Sequence, residues 1–186
     1  MVGVLVLIAP HETHAQITEV NAGMHAGSFT RQGEGRDGTT GAYGGWIGIG
    51  VEQFRLEIDV VRSTTLQQRG SGCTDPLCMR SAPGTSLERN WAFAVAGLWQ
   101  RRTTVPVAPH VLVGIGRLAR TTSYNFDDPA IADHGPWRGG GGMLVAGAGL
   151  DFPTQSRFFG RVEYRFNLRT VEDMIHEFRV GGGVRF

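Results

Sequence analysis

Apolar residues recur at every second position through most of the chain. The clearest run has Phe54, Leu56, Ile58 and Val60 alternating with Arg55, Glu57 and Asp59. The same period sets Val162, Tyr164 and Phe166 against Arg161, Glu163 and Arg165. Near the C-terminus Phe178, Val180, Gly182, Val184 and Phe186 alternate with Arg179, Gly181, Gly183 and Arg185. A period of two sends successive side chains to opposite faces of a strand, so each segment has one apolar face and one polar or small one. Extended along the chain, the pattern predicts eight strands, over 19–29, 42–52, 54–64, 90–100, 109–119, 143–152, 157–168 and 176–186. Each is about 10–12 residues, the length that crosses a bilayer when tilted. No helical period competes. The expected fold is all-β, an eight-stranded antiparallel up-and-down transmembrane barrel.

The connections between these strands alternate in length. Those at 52–54, 101–108 and 153–156 are short, those at 30–41, 66–89 and 120–142 are longer and polar, and 169–175 is intermediate. In an up-and-down barrel odd connections share one end and even ones the other. Short turns at one end and long loops at the other is the asymmetry of an outer-membrane barrel. Aromatic spacing points the same way. Trp91 and Trp99, Phe158 and Phe166, and Phe178 and Phe186 each share a face at a separation of eight residues. Eight residues of tilted strand climb roughly 20 Å, so each pair can place one ring in each interfacial girdle.

The remaining face carries the charge: Glu19, Arg55, Glu57, Asp59, Asp151, Arg161, Glu163, Arg165, Glu177, Arg179 and Arg185. Alternation alone does not say which face is inside. A soluble lipocalin-like barrel would turn the charges to water and line a ligand cavity with the apolar row. The girdle pairs, the apolar terminal Phe186 and an export signal favour the opposite arrangement.

That signal is the run Val2 to Ala9, too short to span a membrane, followed by Thr13-His14-Ala15, a small-x-small pattern that permits cleavage before Gln16. Residues 1–15 therefore read as a signal peptide and 16–186 as the barrel domain, with His11 and His14 in the removed part. Cys73 and Cys78, in a polar Gly/Ser/Pro-rich stretch, are expected to form a local disulfide in an exported chain. The composition excludes little else. The net charge is +1 over 186 residues, which gives no reason to expect nucleic acid. All basic residues are Arg, and many of the 28 glycines lie inside alternating segments, as at the bends of a small barrel.

With these residues in view, the chain resembles the small eight-stranded outer-membrane barrels of the OmpA/OmpX type. The resemblance covers 17–186 and is most specific in the last strand. There Arg179, Gly181, Val184 and Phe186 are similar to the signal by which the barrel assembly machinery recognises its clients, with Val184 in place of the more usual aromatic. The resemblance implies the outer membrane of a Gram-negative-type bacterium, surrounding lipid and lipopolysaccharide, the assembly machinery as a biogenesis partner, and a monomer.

Eight strands enclose a bore that side chains fill, so the inward charges are expected to form a paired plug. A narrow ion path is the alternative. A lipid A-modifying enzyme is another, since Ser28, His176 and Asp173 come to one end on closure, although no His-x-Ser of the deacylase kind is present. Asp127, Asp128 and Asp133 lack the ordered spacing of a calcium loop. No metal or cofactor is expected. Arg31, Arg36, Arg80, Arg89, Arg120 and Arg138 lie in or beside the long loops, where they can meet lipopolysaccharide phosphates. Gly139 to Gly142 is expected to be a flexible loop segment.

Overall fold

The alternating segments pair in sequence order, and the pairing runs well past the segments themselves. A computed structural model of the chain describes residues 19–33, 37–74, 80–101, 107–153, 157–170 and 173–186. The strand segments are β1 (Glu19–Gln32), β2 (Gly38–Val51), β3 (Phe54–Ser63), β4 (Leu66–Cys73), β5 (Ser81–Gln100), β6 (Ala108–Phe126), β7 (His134–Pro153), β8 (Phe158–Thr170) and β9 (Asp173–Arg185). All pairings are antiparallel. β1 pairs with β9 and β3 with β5, which closes the sheet on itself.

β3 and β4 are two stretches of one barrel strand, both laid against β5. Arg62 lies opposite Trp91 and Leu66 opposite Glu88, so four steps on one strand match three on the other. The extra residue makes a bulge at Thr64 and Thr65, where Asn90 N donates to Ser63 Oγ at 2.9 Å. With these two joined, the sheet is a closed barrel of eight strands. Following partners once round leads from Ser63 through Ala42, Gly27, Arg179, Glu163, Gly149 and His110 to Gln100. Gln100 N donates to Gln53 O, ten residues short of the start. A shear of ten over eight strands tilts them by about 41°, taking roughly 3.3 Å per residue and roughly 4.8 Å between strands.

The apolar faces point outward. Met24, Ile47, Val113 and Ile115 are 77%, 63%, 69% and 66% exposed, whereas Glu57, Glu163 and Arg165 are buried within the bore. A water-soluble barrel would have the reverse arrangement, so the lipocalin-like alternative falls. The register levels the aromatics into two rings. Phe54, Trp99, Phe152, Phe158 and Phe186 circle the end with the tight turn at Glu52 and Gln53; Tyr43, Trp91, Phe166 and Phe178 circle the barrel roughly 20 Å above.

The long polar loops expected at 30–41, 66–89 and 120–142 are largely strand. β4 pairs with 81–88, Thr121 and Thr122 pair with Arg138 and Trp137, and Arg31 pairs with Gly38. Gly139 to Gly142 is not a loop but lies in β7, opposite Arg120 to Arg117. The hairpins simply continue beyond the upper ring, where the outward apolar belt ends and the alternation that marks a strand disappears.

Candidate functional site

The bore is built from two unlike walls. Through the middle of β5, β6 and β7 the inward positions are small or aliphatic: Ala92, Ala94, Ala96, Leu98, Leu112, Gly114, Gly116, Val145, Gly147 and Gly149. On β3, β8 and β9 they are long and charged. Side chains from the second wall reach across the space left by the first, which is how a narrow barrel holds several arginines.

Arg161 is the hub. Its Nη1 donates to both oxygens of Glu57 at 2.8 and 3.0 Å, and its Nε and Nη2 donate to Asp151 at 2.7 and 3.2 Å. The guanidinium stacks 4.7 Å from the Trp46 ring, which itself lies in the bore. Arg179 Nη1 donates to both oxygens of Asp59 at 3.0 Å and the same side chain binds Glu177, while Arg165 binds Glu163 and approaches Asp59 at 3.5 Å. His25 bonds Asp59 and His110 bonds Glu163, both at 3.1 Å, and Asn167 donates to Glu177 at 2.6 Å. Toward the tight-turn end Arg55 donates to Glu19 at 2.8 Å and to Gln100 at 3.2 Å, and Arg185 lies 3.6 Å from Glu19. Charges this deeply buried are tolerable because each of these carboxylates has an arginine partner.

Glycine makes room at two contacts. A Cβ at Gly23 would lie 2.3 Å from the Trp46 ring, and one at Gly149 would lie 2.7 Å from the His110 ring. Farther from the tight turns an apolar cluster including Phe29, Val61, Leu118, Met143 and Ile175 occupies the bore. A second charged group follows, with Glu88 bonded by Arg31 at 3.1 Å and approached by Arg120 at 3.4 Å.

The structure thus brings the charged residues singled out by alternation into one lumen. Arg31 and Arg120, expected among the loop arginines, belong to the lumen instead, because the strands extend past the point where the loops were placed. Residues missed from sequence include His25, Trp46, Glu88, Asn90 and His110. All share the inward parity of their strands, and parity would have found them. Trp46 escaped because an aromatic in such a barrel is first sought on the outside.

The girdle residues Trp91, Trp99, Phe158, Phe178 and Phe186 are exposed on the outward face, with Phe166 partly so. Ser28 and His176 also share that face, but Nδ1 of His176 is bonded by the Tyr164 hydroxyl at 2.5 Å, and the Asp173 side chain lies outside the description. In the β6–β7 connection Asp127 pairs with Arg69 at 3.1 Å, Asp128 caps Ala130 N at 2.9 Å, and Asp133 accepts from Phe126 N at 3.2 Å. Among the described residues no cluster of three or more ligating side chains could hold a metal. Residues 1–15, Arg36 and Cys78 lie outside the described residues; Cys73 ends β4 opposite Ser81.

No protein-family model matches the chain, and no curated protein sequence does. Solved structures do. Neisserial surface protein A is 12% identical with a TM-score of 0.66, over 90% of this chain and 97% of that one. Ail, the attachment invasion locus protein of Yersinia pestis, solved with the heparin analogue sucrose octasulfate, is 11% identical at a TM-score of 0.60, over 90% and 98%. The N-terminal β-barrel domain of Pseudomonas aeruginosa OprF is 17% identical at 0.54, over 89% and 97%. At these identities the likeness is one of fold. The chain has the architecture of the small eight-stranded outer-membrane barrels, apolar on its outer face and filled with paired charge.

Proposed function

We propose that this barrel neither conducts ions nor catalyses a reaction, and serves the outer membrane as a structural element and through the surface its hairpins display. The observation that carries this reading is the filled bore. Ion-paired arginines occupy one level, and the apolar cluster of Phe29, Val61, Leu118, Met143 and Ile175 occupies the next. An ion would have to break a paired network and then cross a layer with nothing to replace its hydration. Purified barrel in planar bilayers is therefore expected to give no stepwise conductance. Reproducible unitary currents that vanish on narrowing the bore by Ala94→Leu would replace this reading with the channel.

The enzyme alternative has less support, because His176 is engaged by Tyr164 on the lipid-facing side and no bond links it to Ser28 among the described residues. The surface role is supported by the hairpins β4–β5 and β6–β7, which stand beyond the upper aromatic ring. Tyr124, Phe126, His134 and Trp137 form a chain of ring contacts there, with centroids 4.8, 5.2 and 5.9 Å apart. Ail, named for attachment and invasion, shares this architecture. A disulfide between Cys73 and Cys78 would tie the tip of β4–β5, and the monomer remains the expected state.

Arg179, Gly181, Val184 and Phe186 complete the reading as the segment recognised by the assembly machinery. Phe186→Ala should slow insertion several-fold while leaving the unfolding free energy of the finished barrel within about 1 kcal/mol of wild type. Time-resolved conversion from the unfolded to the folded gel band measures this, and unchanged insertion kinetics would remove that role.

A further inference from the structure

The outward face has its own charge pattern. On the strands whose side chains are described, Glu19, Glu57, Asp59, Glu88, Asp151, Glu163 and Glu177 all take the inward parity, and no carboxylate faces out. Arginines do face out, and three of them surround Trp91 of the upper ring. Arg62 is its cross-strand partner, with the guanidinium 5.0 Å from the ring. Arg89 stands two residues away on the same face and donates to Thr65 Oγ1 at 2.8 Å. Arg117 is opposite Phe93, one diagonal step from Trp91, which places it about 7–8 Å away across the strands. None of the three pairs with a carboxylate among the described residues.

Beside this cluster the surface is bare. Trp91 faces Ala119, Ala119 faces Gly140, and Arg117 faces Gly142. A Cβ at Gly142 would meet nothing within 4 Å, so packing does not demand glycine there. The result is a shallow dish floored by Ala119, Gly140 and Gly142 and edged by three guanidinium groups and an indole. Uncompensated cations at the boundary of a lipid phase are costly unless an anion meets them. Guanidinium forks match phosphate oxygens geometrically as well as electrostatically.

We infer that this dish binds the phosphorylated sugar headgroup of an outer-leaflet glycolipid, with Arg62, Arg89 and Arg117 on the phosphate and Trp91 and the glycines against the sugar. The inference rests on the outer-membrane reading above. That reading places the long hairpins, and with them the upper ring, at the outer leaflet, where such lipids lie.

The test titrates the refolded barrel in detergent with diphosphorylated lipid A, the same lipid dephosphorylated, phosphatidylglycerol and inorganic phosphate, scored by native mass spectrometry. Diphosphorylated lipid A should bind at least about tenfold more tightly than any of the others, a difference of about 1.4 kcal/mol or more. The triple variant R62Q/R89Q/R117Q should lose that preference. Equal binding of the dephosphorylated lipid, equal binding of phosphatidylglycerol or free phosphate, or an unchanged triple variant would each overturn the site. The lipid comparison needs no variant. Heat-modifiable migration of the wild type reports separately on the barrel, so a folded membrane barrel indifferent to lipid A rejects the site alone.

Discussion

Arg161→Met should destabilise the folded barrel by about 3–5 kcal/mol, the cost of stranding buried charges that have lost their partner. Arg161 is 4% exposed and holds Glu57 and Asp151 through four hydrogen bonds, with its guanidinium against the Trp46 ring. Met fills much of the same volume, so the loss comes from charge and not from a cavity. Adding Glu57→Gln should recover part of it, because one stranded charge becomes a neutral amide. Urea titration of the folded gel band for wild type, single and double variants measures both effects. A single variant within 1 kcal/mol of wild type would mean that water, not the pairing described, satisfies the lumen.

Val113→Arg should be costly for the opposite reason. Val113 is 69% exposed on the outward face, opposite Gly97 and between the levels of the two aromatic rings. In water such a position tolerates arginine with a change of about 0.5 kcal/mol or less. At the middle of a bilayer it costs about 2–4 kcal/mol. Thr121→Arg, on the same strand and the same face but above the upper ring, should cost about 1 kcal/mol at most. Unfolding in phospholipid vesicles compares the two. Equal costs would show that no depth-dependent lipid phase surrounds the strand.

What the sequence discloses of this barrel follows the membrane. Between the aromatic rings the outward positions are apolar or glycine, and on β3 the inward ones facing them are charged, so alternation there is strict and Phe54 to Val60 marks its strand without ambiguity. Above the upper ring both faces meet water. Thr121 to Tyr124 and Leu66 to Gly72 then carry polar residues on either side, and their pairing leaves no trace in the pattern. The same blindness put Arg31 and Arg120 in loops, when each is one more inward position of a continuing strand. The bulge at Thr64 and Thr65 hid β4 further, because it resets the parity partway along one barrel strand. Within the lumen, sign and parity were readable but partners were not. That Arg161 chooses Glu57 and Asp151 depends on a shear of ten and on the small residues of the facing wall, which are properties of the closed sheet.

The dish around Trp91 was the least accessible feature from sequence. Arg62, Arg89 and Arg117 are far apart in the chain, and only the register between β3, β5 and β6 gathers them. Gly139 to Gly142 had suggested flexibility, whereas their place in β7 turns Gly140 and Gly142 to the outward surface and Gly139 and Gly141 to the lumen.

The central claim is that the exposed apolar belt faces lipid and the charges face inward. Cell fractionation with heat-modifiable electrophoresis tests it most directly. The protein should sediment with outer membranes, require detergent for extraction, and migrate as a compact species unheated that shifts to its full apparent mass on boiling. A protein recovered from the periplasm without detergent, with one mobility before and after heating, would contradict the account.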